Sequence, residues 1–451
     1  MEREYPVQNM LSRPVPRYTS YPTAPHFTSA VDSATYASWL AALPGDATLS
    51  LYLHVPFCAQ LCFYCGCHTK ATLRHDPIEA YAQRLIDEIA LVARCCDRRR
   101  IVHVHWGGGT PSILGTEWLA RITDELRRRF DLAAIREHAI ELDPRHLTPD
   151  LARTLRDIGV NRASLGVQEF SSQVQAAIGR VQPFYVVEEA VATLRECGIE
   201  RINIDLMYGL PKQQVRDVKR TVKLADLLQP QRIAMFGYAH VPWFKPQQRL
   251  IDEDDLPLAR ERLRQAETAH NTLLLLGYQP IGLDHYAHPD DEIALAARTG
   301  RMRRNFQGYS TDEADVLIGL GASAIGKLPG GFVQNAPDVS GYSRAVASGQ
   351  FATARGIEMS HDDRVRGRVI ERLMCDLAVD LALVEHGPGL DVDGRFVEEI
   401  ESLKPLADEG LLIIDGHRLR LTEKGRPFVR LVAAAFDAYL PRGQARHSAA
   451  V

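Results

Sequence analysis

The sequence predicts an α/β protein: a partial (β/α)6-type, TIM-like barrel with an N-terminal arm and a small, mainly helical, winged-helix-like C-terminal domain. Between about residues 49 and 330, short apolar, β-branched runs alternate with helical stretches, which is typical of βα units. Two joints between a helix and the following strand are built alike. After about residue 355 the pattern changes to helices and one hairpin.

Six runs predict the parallel strands of the barrel. They are residues 49–55, 101–105, 138–142, 162–167, 201–207 and 232–238. Polar or glycine-rich residues follow each run. In barrels of this kind the functional site lies at the carboxyl ends of the strands, so we expect it there.

The helices between these strands have recognisable ends. Asp76 is predicted to cap one helix, with Pro77 in its first turn, and Thr148 is predicted to cap another that Gly159 closes. The sequence LRDIGV around Gly159 has a counterpart, LRECGI, around Gly198, and an arginine and a strand follow each. These repeated joints indicate consecutive βα units of one parallel sheet.

The two ends of the chain lack this alternation. We therefore predict four segments: an N-terminal arm (1–48), the barrel (49–355), a C-terminal domain (356–441) and a flexible tail (442–451). In the C-terminal domain, helices are expected at about 362–380, 393–409 and 426–439, with a hairpin that turns at Asp415 and Gly416. Helices followed by a two-stranded wing resemble a winged-helix module, which either binds nucleic acid or serves as packing scaffold.

Composition excludes several classes of protein. The chain has 451 residues, 45% of them hydrophobic, and a net charge of −4. A protein that coats nucleic acid needs a basic surplus, which is missing here. No apolar run reaches the roughly 18 residues of a membrane span, and the charged N-terminus does not look like a signal peptide, so we expect a cytoplasmic protein.

Four of the eight cysteines lie close together after the first predicted strand: Cys58, Cys62, Cys65 and Cys67. The first three have the spacing C-x3-C-x2-C, so each can bind one iron of a cubane cluster and leave the fourth iron open for a small molecule. The alternatives are a structural zinc site that also uses Cys67, and unliganded thiols. The remaining cysteines, Cys95, Cys96, Cys197 and Cys375, are expected to pack as small core residues or to be inert thiols.

This cysteine loop resembles the hallmark of the radical S-adenosylmethionine (SAM) superfamily. Tyr64, just before the third cysteine, fits the usual pattern, and the run WGGGTP at 106–111 resembles the glycine-rich contact with the methionyl group. Glycines allow a backbone to approach a ligand closely. The resemblance implies a [4Fe–4S] cluster and a 5′-deoxyadenosyl radical made from SAM.

Further motifs resemble one family within it, the oxygen-independent coproporphyrinogen III oxidases. They are RYTSYPT at 17–23, CGC at 65–67, ELDPR at 141–145, GVQ at 166–168, IDLMYGLPKQ at 204–213, YAH at 238–240, DH at 284–285 and RNFQGY at 304–309. The resemblance implies the decarboxylation of two propionates of coproporphyrinogen III to vinyl groups, giving protoporphyrinogen IX. It also implies a low-potential electron donor such as flavodoxin or ferredoxin, and we expect a monomer that binds no nucleic acid.

The same resemblance implies two SAM molecules beside one cluster. Residues implied for the cluster-bound SAM are Tyr52, Gly108, Glu141 and Ile325. Residues implied for the second are Tyr64, Gly109, Thr110, Gln168, Arg180, Asp205 and Ala239. We assign the catalytic roles to Cys67, Tyr52 and Gln307, although Cys67 could be a proton or hydrogen relay or only a packing residue.

Each polar candidate also has a plain structural interpretation. Glu141 and Asp205 can accept hydrogen bonds from ribose hydroxyls or an α-amine, or they can be helix caps or surface ion pairs. Arg180, expected on an exposed helix, can bind a carboxylate through two hydrogen bonds or can be an ordinary surface arginine.

A substrate with four carboxylates needs cationic anchors. Candidates are Arg17, Arg303 and Arg304, with help from Gln307 and Tyr309. His240 and His285 are as readily explained as core histidines.

Three other functions remain as alternatives. The first is a heme-binding chaperone on the same scaffold, and the second is a heme-degrading radical SAM methyltransferase. The third is a transcription factor that binds DNA through the C-terminal wing.

Overall fold

The computed structural model describes residues 15–96, 98–384 and 395–440. In chain order the strands are β1 (Leu49–Val55), β2 (Phe57–Cys58), β3 (Lys70–Ala71), β4 (Ile101–Gly108), β5 (Glu137–Leu142), β6 (Arg162–Gln168), β7 (Arg201–Tyr208), β8 (Arg232–Gly237), β9 (Gln279–Ile281), β10 (His285–Ala287), β11 (Arg303–Asn305), β12 (Gly308–Ser310), β13 (Val316–Leu320), β14 (Ile325–Leu328), β15 (Gly331–Asn335), β16 (Thr353–Glu358), β17 (Ala378–Asp380), β18 (Leu412–Asp415) and β19 (Arg418–Leu421).

The α-helices of the described residues lie mainly between the parallel strands and at the two ends of the chain. They are Ser33–Ala41, His75–Cys96, Gly115–Arg129, Pro149–Asp157, Ser172–Ala177, Phe184–Glu196, Val215–Leu227, Ala259–Leu275, Glu292–Arg298, Val339–Ala347, His361–Asp376, Leu381–Val384, Val397–Asp408 and Val429–Ala435. Within the described residues, no helix combines the length and apolar character that a membrane span requires.

One sheet of 12 strands forms the barrel, in the order β16-β15-β14-β13-β1-β4-β5-β6-β7-β8-β10-β9. Seven consecutive strands of this sheet, β13-β1-β4-β5-β6-β7-β8, pair parallel with one another. Beyond them, β14 pairs antiparallel with β13, and β10 pairs antiparallel with β8. Because the sheet ends in β16 and β9 and these do not pair with each other, the barrel is open. The predicted α/β fold with a partial barrel is therefore confirmed.

The six predicted strands correspond to β1 and β4–β8. The seventh parallel strand, β13, was not predicted. This strand pairs with β1, and all five of its residues are buried. Its run VLIGL has no alternation, and no crossover helix follows it, because the chain turns back at once into β14. The pattern of alternating strands and helices therefore gave no signal for it.

The predicted helix ends are largely confirmed. The Thr148 side chain accepts a hydrogen bond from the Leu151 amide at the start of Pro149–Asp157, and Gly159 follows this helix with φ +95°. One detail was wrong: the helix predicted to be capped by Asp76 already begins at His75, so Asp76 lies in its first turn.

The first part of the chain is more ordered than an arm. The helix Ser33–Ala41 packs on the helix His75–Cys96 and on β16, although no helix was expected there. Before it, Val15, Tyr18 and Tyr21 are buried in a second apolar core together with residues of the C-terminal part. This segment therefore joins the C-terminal part to the barrel.

The C-terminal part contains the predicted helices and the predicted hairpin. Strands β18 and β19 pair across the turn at Asp415 and Gly416, and β17 adds a third strand that was not expected. The first predicted helix ends at Asp376 rather than 380, because Leu377 takes a left-handed conformation and β17 follows. The predicted tail at 442–451 lies outside the described residues.

Candidate active site

A pocket opens at the carboxyl ends of the parallel strands, where the sequence predicts the site. Its lining includes all four clustered cysteines and the carboxylates of Glu141 and Asp205. The full lining is Cys58, Gln60, Leu61, Cys62, Tyr64, Cys65, Gly66, Cys67, Thr69, Gly108, Gly109, Thr110, Glu141, Leu142, Asp143, Ser164, Gly166, Gln168, Arg180 and Asp205. The strands β4–β7 thus bring together side chains that lie far apart in the sequence.

The cysteine loop leaves β1 and is held by hydroxyl groups at its start. The Sγ of Cys58 lies 3.3 Å from the Thr69 hydroxyl and 3.6 Å from the Thr110 hydroxyl, which donates to it. The neighbouring Cys67 thiol and the charges of Lys245 and Arg180 lower the pKa of Cys65, although burial opposes this. Cys65 therefore loses its proton more readily than an ordinary thiol, which favours iron ligation.

Side chains from a distant segment hold the end of this loop. Lys245 donates from Nζ to the Cys67 carbonyl at 2.9 Å, and the Gln248 amide donates to the Tyr64 carbonyl, also at 2.9 Å. The same amide donates to the Ala239 carbonyl at 3.2 Å. Gln248 is therefore the link between Ala239, which does not line the pocket, and Tyr64, which does.

The glycine-rich end of β4 is hydrogen-bonded to the start of the cysteine loop. The Gly109 amide donates to the Val55 carbonyl at 2.8 Å, and the Thr110 amide donates to the Phe57 carbonyl at 2.7 Å. A Cβ on Gly109 would lie 2.4 Å from the Phe57 carbonyl oxygen. Gly108 has φ +113°, which favours glycine. Gly109 is therefore required because its backbone meets that of Phe57.

Glu141 lies at the centre of a polar group on β1, β4 and β5. Its carboxylate accepts hydrogen bonds from the Gly108 amide at 3.1 Å and from Nε2 of His105 at 3.3 Å. Although burial opposes it, these partners lower the pKa of Glu141, so the group is ionised at neutral pH. The Tyr52 ring stacks beside His105, with 5.9 Å between the ring centres, and its hydroxyl lies 3.0 Å from Nδ1 of His54.

Asp205 shares the pocket with Glu141 and is neither a helix cap nor a surface ion pair. It lies within β7 and accepts a hydrogen bond from the Ser164 hydroxyl at 3.2 Å. Burial and the nearby charge of Glu141 raise the pKa of Asp205 to about 6. A carboxylate in this position gains from a ligand that donates hydrogen bonds to it.

Arg180 differs from its expected position. It follows the short helix Ser172–Ala177 instead of lying on a helix, and it is buried rather than exposed. Its guanidinium donates to Asp143 at 3.2 Å, to Cys62 Sγ at 3.5 Å and to the Gly166 carbonyl at 2.6 Å. Among the residues that the structure describes, its buried Nε has no hydrogen-bond partner, so this cation keeps one unpaired donor.

Four of the candidate residues do not line the pocket itself: Tyr52, Ala239, Ile325 and Gln307. Tyr52 still borders Glu141, because a Cβ on Gly107 would lie 3.0 Å from the Tyr52 ring and 2.9 Å from the Glu141 carboxylate. The Ile325 backbone lies against Gly319, where a Cβ would approach it to 2.7 Å. Gly319 pairs with Tyr52 between β13 and β1. Gln307 lies in the turn between β11 and β12, next to Phe306, whose ring packs edge-on against Tyr52.

The candidate anchors for a substrate differ in their exposure. Arg17 and Arg303 are exposed, and Arg304 is half-buried over the Tyr309 ring, 4.4 Å from its centre. The Tyr309 hydroxyl is buried and donates to the Met374 carbonyl at 2.7 Å, so Tyr309 fastens the C-terminal part to the barrel.

The two histidines both have partners. His285 pairs with Asp284 through Nδ1 at 2.7 Å. His240 lies 2.8 Å from the Tyr238 hydroxyl through Nδ1 and 3.0 Å from Glu253 through Nε2.

Several residues that shape the pocket were not predicted. Five such residues each form a hydrogen bond with a predicted residue: His54, His105, Asp143, Ser164 and Gln248. For Ser164 a signal existed, because it lies on the strand before the one carrying Asp205, near the same sheet edge. Gln248 follows an irregular segment, and nothing in its local sequence points to the cysteine loop.

These residues fit an iron–sulfur cubane. A cubane takes one thiolate on each of three irons, and Cys58, Cys62 and Cys65 line the pocket together. Among the described residues, no group of three His, Cys, Asp or Glu side chains is already gathered around a single metal position.

Comparisons with known proteins agree with this geometry. The profile described as the Radical SAM superfamily matches residues 52–225, and the profile described as the HemN C-terminal domain matches residues 359–428. The chain is 48% identical to an oxygen-independent coproporphyrinogen III oxidase of Bradyrhizobium diazoefficiens, covering 97% of each chain. It is 41% identical to the protein of that name from Paracoccus denitrificans, covering 97% of this chain and 96% of the relative.

A solved structure shows the same fold. The chain superposes on coproporphyrinogen III oxidase (HemN) from Escherichia coli, described as a radical SAM enzyme, with a TM-score of 0.90 and 38% identity. The match covers 94% of this chain and 98% of the solved chain.

Proposed function

The chain belongs to the oxygen-independent coproporphyrinogen III oxidases of the radical SAM superfamily, and we propose that it decarboxylates two propionates of coproporphyrinogen III to vinyl groups without oxygen. The product is protoporphyrinogen IX, so the reaction belongs to heme biosynthesis. A [4Fe–4S] cluster and SAM are the cofactors that the family implies. The observation that carries the proposal is the pocket in which four thiols, three carboxylates and a buried arginine meet.

Cys58, Cys62 and Cys65 are the ligands we assign to the cluster. When bound, the cluster and SAM would supply, with one electron from the donor, methionine and a 5′-deoxyadenosyl radical able to take a hydrogen atom from the propionate β-carbon. For each propionate the carbon–carboxylate bond would then break, and one SAM and one donor electron would give one vinyl group, one carbon dioxide, one methionine, one 5′-deoxyadenosine and one electron for an acceptor. The protein positions the groups and excludes water from them.

Two sets of residues are proposed to hold two SAM molecules. Tyr52, Gly108, Glu141 and Ile325 hold the cluster-bound one, and the ionised Glu141 accepts hydrogen bonds from it. Tyr64, Gly109, Thr110, Gln168, Arg180, Asp205 and Ala239 hold the second. Supporting the second set are the free Nε donor of Arg180, which suits a carboxylate, and Asp205, whose burial favours a hydrogen-bonding partner.

Three residues are assigned to the chemistry. We propose that Tyr52, which borders Glu141, and Gln307, whose neighbour Phe306 packs on Tyr52, act on the propionate. Cys67 is an exposed thiol that neighbours Cys65. We propose that Cys67 carries a proton or a hydrogen atom at the edge of the site.

The remaining assignments concern partners. We propose a low-potential donor such as flavodoxin or ferredoxin, a cytoplasmic location and a monomer. The names of the relatives favour the oxidase over a heme-binding chaperone or a heme-degrading methyltransferase. They also speak against a DNA-binding role for the three-stranded wing, since a profile named for this enzyme family matches that region.

An anaerobic reaction tests the proposal. Protein with a reconstituted cluster is mixed with SAM, a strong reductant and coproporphyrinogen III, and the products are separated by chromatography. The expected result is a vinyl porphyrinogen together with 5′-deoxyadenosine. Deoxyadenosine without a vinyl product would keep the radical chemistry and reject the substrate, and a methylated linear tetrapyrrole would identify the heme-degrading alternative.

A further inference from the structure

Four arginines from four parts of the chain lie at the mouth of the barrel, and three of them act on the Tyr208 hydroxyl. Arg17 comes from the N-terminal segment, Arg262 from the helix Ala259–Leu275, Arg304 from β11 and Arg430 from the helix Val429–Ala435. The charges of Arg17, Arg262 and Arg430 act on Tyr208, and those of Arg17 and Arg304 act on Arg430. The strand β7 carries Tyr208 at its end and also carries Asp205 of the pocket.

Two of these guanidinium groups reach the same point, the end of β8. Arg17 donates from Nη2 to the Gly237 carbonyl at 3.3 Å. A Cβ on Gly237 would lie 3.4 Å from Nη2 of Arg262 and 2.9 Å from the Tyr208 hydroxyl. Arg17, Arg262 and Tyr208 therefore present hydrogen-bond donors side by side.

The other two arginines hold the N-terminal segment in place. Arg304 donates to the Tyr18 carbonyl at 3.3 Å and to the Arg17 carbonyl at 3.4 Å. Arg430 donates to the carbonyls of Pro16 and Val15. Both therefore fix the backbone on each side of the Arg17 side chain, which is a positioning role.

The carboxylates of this region leave Arg262 without an ion pair. Burial opposes ionisation of Asp284, but its hydrogen bond with His285 at 2.7 Å and then the charges of His285, Arg304 and Arg17 lower its pKa. Glu253 pairs with His240 at 3.0 Å. Among the described residues, Arg262 forms no ion pair, and its guanidinium carbon lies 6.0 Å from the centre of the Tyr208 ring. A half-buried guanidinium without a carboxylate suits an anionic ligand.

We propose that Arg17 and Arg262 bind a propionate carboxylate of the tetrapyrrole, with the Tyr208 hydroxyl as a third donor. The inference rests on the proposed function, because it takes the substrate class from it. It gives the N-terminal segment a direct role in substrate binding, and it gives the C-terminal part an indirect one through Arg430. Arg304 positions Arg17 and does not itself bind the carboxylate.

Steady-state kinetics of the reconstituted enzyme test this. Arg262→Gln and Arg17→Gln should each raise KM for coproporphyrinogen III about tenfold or more, since a charge-assisted hydrogen bond to a carboxylate is lost. Arg262→Lys, which keeps the charge, should restore part of the loss. Arg264→Gln is the matched control, because Arg264 lies on the same helix but is exposed and pairs with Glu261.

The readouts separate anchoring from folding and from the reaction itself. Cluster absorbance, and the 5′-deoxyadenosine formed without tetrapyrrole, should equal those of the wild type in both glutamine variants. If Arg262→Gln loses its cluster, the KM of Arg17→Gln decides whether the anchor exists, because Arg17 is exposed. KM values within twofold of the wild type in an active enzyme would overturn the anchor, whereas a wild type that makes no vinyl product would overturn the proposed function instead.

Discussion

Arg180 and Asp143 form a buried ion pair in the wall of the pocket, with 3.2 Å between Nη1 and Oδ2. The same Nη1 lies 3.5 Å from the Cys62 sulfur. Burial opposes ionisation of Asp143, but the hydrogen bond from Arg145 and the charge of Arg180 lower its pKa to about 2. Asp143 therefore holds Arg180 in place, and Arg180 in turn places a positive charge beside a proposed iron ligand.

Asp143→Asn should lower both stability and SAM cleavage. Removing one partner of a buried ion pair leaves an uncompensated charge, which costs about 3 kcal/mol of unfolding free energy. Thermal unfolding of the cluster-free protein measures this. Asp150→Asn is the control, because Asp150 forms an exposed pair with Arg153 and should change stability by less than about 0.5 kcal/mol. Equal effects of the two variants would contradict the structural role of Asp143.

Single replacements of Cys58, Cys62 or Cys65 by alanine should abolish the cluster and SAM cleavage together. Each thiolate is the protein ligand of one iron in a three-cysteine site. Cys197→Ala is a control outside the loop and should keep both properties. Cys67→Ala should keep the cluster absorbance. A triple variant of the three ligands that still bound iron and sulfide stoichiometrically would show that the assignment is wrong.

Asp205→Asn should keep the cluster and weaken turnover. The pKa of Asp205, raised to about 6 by burial and then by Glu141, means that the carboxylate is ionised above about pH 6. If the ionised form binds SAM, KM for SAM in the wild type should rise as the pH falls from 7.5 to 5.5, about fourfold in all. In Asp205→Asn, KM should be high and independent of pH. A wild-type KM that stayed constant over this range would return Asp205 to a structural role.

The local motifs of the site could be predicted from the sequence because their chemistry lies in adjacent residues. The cysteine spacing and the glycines at 107–109 occupy one loop and one strand end, and the structure brings them together through short backbone hydrogen bonds. The strands β4–β7 were also predictable, because the helices between them separate the apolar runs clearly.

The long-range partners of these motifs could not be predicted. Gln248 donates to the Tyr64 carbonyl across 184 positions of sequence, and Arg180 reaches Cys62 across 118. Arg180 was expected on an exposed helix, and an arginine usually faces solvent. Only the tertiary fold places Asp143 beside it, and this buried partner explains why an arginine can lie in the interior here.

Gly109→Ala should disturb the cysteine loop. Its Cβ would lie 2.4 Å from the Phe57 carbonyl oxygen and 2.5 Å from the Thr69 hydroxyl, so the backbone of the loop has to move, at a cost of about 1–3 kcal/mol. We expect iron incorporation to fall below about half of the wild-type value after reconstitution, since such a shift displaces cluster ligands. Gly45→Ala is the control, because its Cβ would meet only Arg99 at 3.7 Å. Full iron content in Gly109→Ala would contradict the close approach.

Glu88 should make the stability of the protein depend on pH. Its buried carboxylate accepts hydrogen bonds from the Tyr342 hydroxyl and the Gly321 amide at 2.7 Å each, and from the Asn335 amide at 2.6 Å. These bonds hold the turn between β13 and β14, which leads to Ile325. Burial nevertheless raises the pKa of Glu88 to about 7.

Because this pKa is raised, the folded protein binds the proton more tightly than the unfolded chain does. The stabilising contribution of Glu88 is therefore complete below its ordinary pKa of 4.5 and is lost as the pH rises to about 7. The loss amounts to about 3 kcal/mol. The unfolding midpoint of the wild type should fall between pH 5 and 8 relative to that of Glu88→Gln, which has no titrating group at this position. Parallel midpoints of the two proteins over this range would contradict a protonated Glu88.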